Sequence, residues 1–426
     1  MKRRFYVARR EHTQHNQIDK RKHASASAGR REKPTEAGRR NDHARAERTP
    51  VTFMASGVAA RDWALPVAVT VEMEAQLAEV LKHDAVALVY LDEACFTDFA
   101  ALIQRVHAAG KKAGLRLRRI ERDFDANGRK AENSAELLNG LWKAACDAQT
   151  TGVPERSAEE REAQSVSSAD RGSSAAAEAG SQMSASGKQP PSCLPDVLLV
   201  RNLDEAMLLE DFFGAHPELK ERIRRNFDYT VYGYNQEAIQ ALVSLGADGL
   251  TYPIELTYYE CRKLREKLRS SVHGADGTRG TNADAVEGES TPVPAAARAG
   301  ADAEADSIGL GELPFELMIY GHLPMMVSAN CIQRTSARCD HGNRILQLRD
   351  RMGKDMPVRC YCTYCYNQIF NAEPLVLYDL PDEVRALQPQ CLRYDFSVEP
   401  AAVVRQVLEG AVPRSMTRGH FRHGIE

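Results

Sequence analysis

No run of eighteen apolar residues occurs in this 426-residue chain, so no transmembrane helix and no membrane partner are expected. The opening residues hold no apolar h-region, so they do not read as a secretory signal. Several short catalytic signatures are missing as well. There is no H-E-x-x-H, no G-x-S-x-G elbow, no G-x-x-x-x-G-K-S/T loop and no G-x-G-x-x-G loop. These absences exclude the zinc-protease, serine-hydrolase, P-loop and dinucleotide signatures. Ten cysteines in a chain of this size do not make a small disulfide scaffold, and a reducing, cytoplasmic compartment is expected.

What is present is unevenly distributed. Residues 1–60 read as a disordered basic arm without apolar periodicity, the first 55 carrying about +9 against −3 for the whole chain. Such an arm is either a solvated or wrongly assigned start, or a segment attracted to nucleic acid through counterion release. The rest is left clearly acidic. Two further stretches, about 150–192 and 272–310, are Ala, Ser, Gly and Glu-rich with few large apolar residues. They cannot bury enough surface to offset ordering entropy, and read as disordered insertions. Residues 411–426 read as a C-terminal tail.

Between these stretches strands and helices alternate. Val67–Val71, Val86–Leu91, Lys112–Leu117 and Asp196–Val200 are apolar runs of strand length, most followed by a helical stripe. Tyr229–Tyr232, Asp248–Tyr252, Glu316–Tyr320 and Leu392–Phe396 continue the series. Eight strands, most followed by a helix, predict an α/β fold of the (β/α)8, TIM-like barrel type; an open doubly wound sheet is the alternative.

In such a barrel, active-site residues sit where strands end at the C-terminal face. That rule selects Asp92, Glu93, Arg118, Arg119, Glu121, Arg201, Asn202, Tyr234, Asn235, Glu255, Tyr320, His322 and Glu399. Singly, such residues are ordinarily caps and surface loop residues. Together they predict one polar mouth, with Arg201, Asn235, Glu255 and His322 as candidates to bind and protonate a substrate.

Half of the cysteines fall between Glu316 and Asn371, four of them spaced C-x7-C-x22-C-x2-C through Cys331, Cys339, Cys362 and Cys365. Four thiolates close a tetrahedral zinc site or hold an iron–sulfur cluster. A redox dithiol and inert buried thiols are the other readings, and Cys360 and Cys391 stand as extras. The metal-binding loop is placed at 326–371, after barrel strand seven.

The segments ELMIYGHLPMMVSANC, LRDRMGKDMPV, CTYCYNQIFN and LRYDFSVE resemble the peptidase U32 (collagenase-like protease) family, most closely the C-terminal half of its long members. DVLLVRNLDEAMLLE, KKAGLRLRRIERDF and YTVYGYNQEAIQALVSLGADGLTYPIELTYYE follow the same family in the same order, so the likeness spans about 66–400 outside the insertions. The resemblance implies a barrel-like catalytic domain and a four-cysteine iron–sulfur site, 4Fe–4S, on Cys331, Cys339, Cys362 and Cys365, with zinc as the alternative. Arg201, Asn202, Asn235, Glu255, Gly321 and Asn367 match without a known role. The family is named for collagen degradation, while its better-understood members act in RNA base hydroxylation. RNA or a polypeptide is therefore the expected substrate. Long members carry an earlier half that this chain lacks, so a protein supplying that half, or a non-catalytic partner role, is also implied.

Overall fold

A computed structural model describes residues 51–151, 193–273, 309–336, 339 and 341–424. The basic arm up to residue 50 and nearly all of the two low-complexity insertions lie outside the described residues.

Strand β1 (Phe53–Ser56) precedes β2 (Val67–Val71), helix α1 (Glu74–Val80), β3 (Val86–Asp92), α2 (Phe99–Ala108), β4 (Lys112–Arg116) and α3 (Ser134–Thr151). After the first insertion come β5 (Val197–Val200), α4 (Leu203–Ala215), β6 (Arg224–Phe227), α5 (Gln236–Ser244), β7 (Gly249–Thr251) and α6 (Tyr258–His273). The third stretch holds β8 (Phe315–Ser328), α7 (Ile332–Ser336), β9 (Ile345–Arg349), β10 (Asp355–Tyr361) and β11 (Tyr366–Val376). It ends with α8 (Pro381–Ala386), β12 (Cys391–Asp395), α9 (Ala401–Leu408) and β13 (Ala411–Pro413). No helix among the described residues is long and apolar enough to cross a membrane.

Strands β2 to β8 pair in sequence order, all parallel, and β12 pairs with both β8 and β2. The ring is therefore an eight-stranded parallel barrel with helices between strands, as the alternation predicts. Both faces of its strands are covered, which is why VAVTV and VLLV are continuous apolar runs. The outer faces pack under the helices in one large core. Inside, Ala68, Leu88, Tyr90, Val197 and Leu199 fill the lower barrel, with Cys391 against them. Loop chemistry fixes the helix starts: Asn202 accepts from the Glu205 N–H and Asn235 from the Ala238 N–H.

The structure differs from the sequence pattern in three places. Strand five is Arg224–Phe227, while Tyr229–Val231 is a 3-10 turn capped by Asp228. The Arg-Arg-Asn-Phe strand carries polar groups into the barrel, so it lacks the apolar run that marks the others. Tyr-Thr-Val-Tyr, with high strand propensity, is a turn because context overrides propensity. Second, residues assigned to the arm and tail pair with each other, β1 antiparallel to β13. Third, the segment read as a cysteine loop is largely sheet. Strand β8 continues beyond the barrel and pairs antiparallel with β11, followed by β10 and β9.

Barrel packing makes one position intolerant. Gly114 on β4 faces Tyr90, and an added Cβ would lie 2.4 Å from the ring. The ring is buried, and its hydroxyl is held 3.2 Å from Glu316 Oε2, so it has no free direction in which to yield. Gly114→Ala is expected to destabilise the fold by about 2 kcal/mol, the usual scale of core overpacking. Urea unfolding of the variant checks this; an unchanged midpoint would show that Tyr90 is loosely held.

Candidate functional site

Above the apolar layer the barrel interior is ionic. The barrel strands and the residues that directly follow them contribute Glu72, Asp92, Arg116, Arg201, Asp228, Glu316, Arg393 and Asp395, all buried. Arg393 donates from Nη2 to Asp228 Oδ1 (2.7 Å) and from Nη1 to Glu316 Oε1 (2.6 Å). Arg116 Nη1 donates to Glu72 Oε1 (3.1 Å) and Asp395 Oδ1 (3.3 Å), and lies 3.6 Å from Asp92 Oδ2. Arg201 reaches Asp92 Oδ2 from Nη1 (3.5 Å) and Asp228 Oδ2 from Nε (3.8 Å). Its Nη2 has no hydrogen-bond partner among the described residues. Charges this deep are tolerable only when neighbours of opposite sign replace their lost hydration.

Environment separates the carboxylates. Burial works to raise Asp228, but Arg393 and Arg201 outweigh it and hold its carboxyl below the usual range. Glu72 goes the other way: burial, followed by Asp92, pushes it up to about 7 against the pull of Arg116 and Arg359. Glu316 is also raised, chiefly by burial, despite Arg393. Burial and like charge thus hold the Glu72 proton up to near neutrality, a property suited to an acid or base.

A second buried group adjoins the first. Arg118 pairs with Glu93 at 2.7 Å from Nη2, and Ser134 Oγ bridges Glu93 and Glu205 at 3.1 and 3.2 Å. Asn202 Nδ2 donates to the Arg118 carbonyl at 3.1 Å. Burial, then Glu93 and Glu121, raise Glu205 well above the ordinary range.

The antiparallel extension lies over this mouth. Side chains alternate along β10, so Arg359 and Tyr361 share one face while Cys360 and the following Cys362 share the other. Tyr361 Oη lies 3.0 Å from each Glu72 carboxylate oxygen. Arg359 donates from Nη2 to the Glu72 carbonyl (2.9 Å) and approaches Glu72 Oε2 from Nε at 3.4 Å. Cys95 Sγ is 3.6 Å from both Glu72 Oε2 and Arg359 Nη2. The Tyr361 ring stacks on Tyr366 (4.8 Å, 23°).

On the opposite face, Cys362 meets the segment that follows Cys331. Its N–H donates to Asn343 Oδ1 (2.7 Å) and its Sγ to the Gly342 carbonyl (3.0 Å). Burial pushes its thiol up to about 12, with Cys360, Cys339, Cys331 and Cys365 adding to the shift. Burial likewise raises Cys360 to about 11, with Cys331 next in weight. Among the described residues no three His, Cys, Asp or Glu are grouped closely enough to hold a metal ion. In donor chemistry, four thiols are of the kind that suits a soft metal or cluster.

The residues selected from sequence scatter into several environments. Asp92, Glu93, Arg118 and Arg201 belong to the buried ionic groups. Glu121 lies 3.6 Å from Arg118, and Arg119 is half-buried beside them. Asn202 and Asn235 are helix caps. Glu255 accepts from the Tyr234 hydroxyl. His322 Nδ1 pairs with the Asn371 carbonyl (2.8 Å) and Nε2 faces Glu399 at 3.7 Å, while Tyr320 joins Tyr378, Tyr394 and Phe396 in an aromatic cluster. Asn367 Nδ2 donates to the Asn330 carbonyl beside Cys331 (3.0 Å). Sequence reasoning missed Glu72, Arg116, Asp228, Arg359, Tyr361, Arg393 and Asp395. The available signal was charge at alternate positions of otherwise apolar strands, as in Arg116/Arg118 and Arg393/Asp395.

The raised Glu72 has a consequence for stability. Its contribution is fully present below the ordinary glutamate range and is lost as pH rises through about 7, because the folded state resists ionisation. Glu72→Gln, neutral at every pH, should therefore gain stability relative to the wild type between pH 5 and pH 8. Urea midpoints across that range test it; a constant difference would show that Glu72 ionises normally.

A scan against protein-family models and a search of curated proteins matched nothing to this chain.

Proposed function

We propose that the chain is an iron–sulfur enzyme of the peptidase U32 type, acting in the hydroxylation of an RNA base. Cys331, Cys339, Cys362 and Cys365 are the residues that would hold a 4Fe–4S cluster. When bound, the cluster would supply one-electron chemistry. The observation that carries the reading is the arrangement of β10, with Cys360 and Cys362 on one face and Arg359 and Tyr361 on Glu72 on the other. The end of β10 and the turn after it thus bring two of the four thiols close to the side chains that contact the Glu72 carboxylate. Among the described residues, no hydrogen bond beside them joins a serine or cysteine to a histidine base, which favours electron and proton chemistry over acyl transfer.

In this reading Arg201, with Nη2 left for a substrate oxygen, binds in the mouth, and Glu72 takes up or releases the proton. Glu255 with Tyr234, Asn235 and His322 stand farther out as rim and positioning groups. Charge supports an RNA substrate. The chain is acidic outside its arm, but residues 326–371 hold seven Lys and Arg against three Asp and Glu. Of these, Arg334, Arg344, Arg349, Arg351 and Lys354 are exposed, which gives the extension a surplus of exposed cations. A tetrathiolate zinc site is the second reading, favoured by the same four thiols. It suits a collagenase-like peptidase or a non-catalytic subunit.

Anaerobic purification followed by iron, sulfide and zinc analysis separates these readings. Iron with sulfide is expected, lost on Cys362→Ser; zinc without iron or sulfide contradicts the cluster. Nucleosides from RNA of a deletion strain should lack one hydroxylated base present in the wild type. An unchanged nucleoside profile, with gelatin cleaved by the pure protein, would favour the peptidase instead.

A further inference from the structure

We infer that the loops after β6 and β7 form a stacking rim for single-stranded RNA at the edge of the barrel mouth, with Tyr232 as the platform for one unpaired base. The inference rests on RNA as the proposed substrate and names the part of the chain that grips it.

Tyr232 ends the turn Tyr229–Val231 with φ 60° and ψ 49°, the left-handed region that L side chains avoid. A glycine would relieve that cost, yet the position carries an aromatic residue, and it is 53% exposed. The turn is pinned from the buried ionic layer. Asp228, held by Arg393, accepts from the Tyr229 N–H (2.9 Å), and Thr230 Oγ1 donates to the Arg201 carbonyl (2.6 Å). The Tyr232 and Tyr234 rings meet edge to face, with centroids 5.6 Å apart at 78°. The Tyr234 hydroxyl in turn donates to Glu255 on the next loop. Such a contact occupies at most one face of the Tyr232 ring, so the other is open to a planar partner. A half-exposed ring gains little from packing, so backbone strain held beneath it serves to present it.

Charge beside the rim has the sign that RNA requires. Helix α6 starts from the loop after β7 and holds five Lys and Arg against two Glu. Arg262, Lys263, Lys267 and Arg269 are exposed. Lys263 Nζ lies 4.5 Å over the ring of Tyr259, which is itself exposed. Arg262 has Glu266 at 3.2 Å and Lys267 has Glu237 at 3.8 Å, but pairs so open to solvent are weak and leave the helix its surplus. Rings interleaved with cations are how a single strand is held, the bases stacking on the rings and the phosphates meeting the cations. A duplex offers no free base face to such a ring, so the rim selects an unpaired segment.

The probe is a single-stranded RNA of mixed sequence, roughly twelve nucleotides long, added to the full-length protein. Cations elsewhere in the chain attract any polyanion, so heparin and the same RNA as a duplex are the controls. Tyr232→Trp puts an indole on the platform, and the single strand should quench its fluorescence while heparin and duplex do not. The wild type, with Trp63 buried and Trp142 half-buried, supplies the background. Tyr232→Gly removes ring and strain together. Its RNA affinity should fall roughly tenfold, the scale of one lost base–aromatic stack, with a urea midpoint no lower than that of the wild type. Tyr232→Phe, which keeps the ring, should bind as the wild type does. No quenching by the single strand, quenching that heparin matches, or unchanged affinity in Tyr232→Gly overturns the inference. Quenching by gelatin in place of RNA assigns the rim to polypeptide and overturns it as well. These measurements need neither metal nor turnover. A hydroxylated base missing from the deletion strain, with unchanged Tyr232→Gly affinity, removes the rim alone; a quenched Tyr232→Trp with an unchanged nucleoside profile removes the proposed reaction and keeps the rim.

Discussion

Burying Arg116, Arg201 and Arg393 inside a closed barrel is possible because each guanidinium meets carboxylates from the strands beside and across from it. Arg393 is fixed between Asp228 and Glu316, and its neighbours are fixed through Asp228 to Arg201 and through Asp92 to Arg116. The layer is thus one connected unit rather than a set of separate pairs. Removing one member would leave a charge buried without compensation, so the network ties together the strand ends from β2 to β12. It also sets the chemistry of the mouth, since a carboxylate's distance from the guanidiniums determines whether it stays ionised.

Glu72 shows how that works. It touches Arg116 and Arg359 but also lies near Asp92 and Asp395, and it is wholly buried. Attraction does not balance desolvation and like charge, and the proton is held to near neutrality. Asp228, between Arg393 and Arg201, resolves the same balance in the opposite sense. Two carboxylates in one layer are thereby separated in role by their neighbours alone. Arg359 and Tyr361 come to Glu72 from outside the barrel, so the properties of this residue depend on the cysteine-bearing extension being in place.

Much of the fold was legible because parallel strands covered on both faces must be apolar throughout. The exception, β6, was misplaced for the same reason: Asn226 faces the polar interior and Arg224 and Arg225 interrupt the run. The cysteine set was legible as chemistry but not as structure, since its spacing says nothing about the hairpins that carry it. Within the mouth, Asp92, Arg118 and Arg201 were found because they end strands. Glu72 was passed over although it directly follows VAVTV. Arg359 and Tyr361 were not accessible to sequence reasoning. Which face of an alternating strand meets the barrel depends on how the sheet is hung from β8, a matter of tertiary register.

The account turns on the end of β10 and the turn after it, which carry Cys362 and Cys365 beside the Arg359 and Tyr361 contacts with Glu72. The most direct test is a crystal structure of the anaerobically purified protein with anomalous data collected at the iron and zinc edges. The account predicts an iron signal bonded to the sulfurs of Cys331, Cys339, Cys362 and Cys365, with Tyr361 and Arg359 still seated on Glu72. An iron signal elsewhere, no metal at these sulfurs, or Tyr361 turned away from Glu72 in the loaded protein would contradict it.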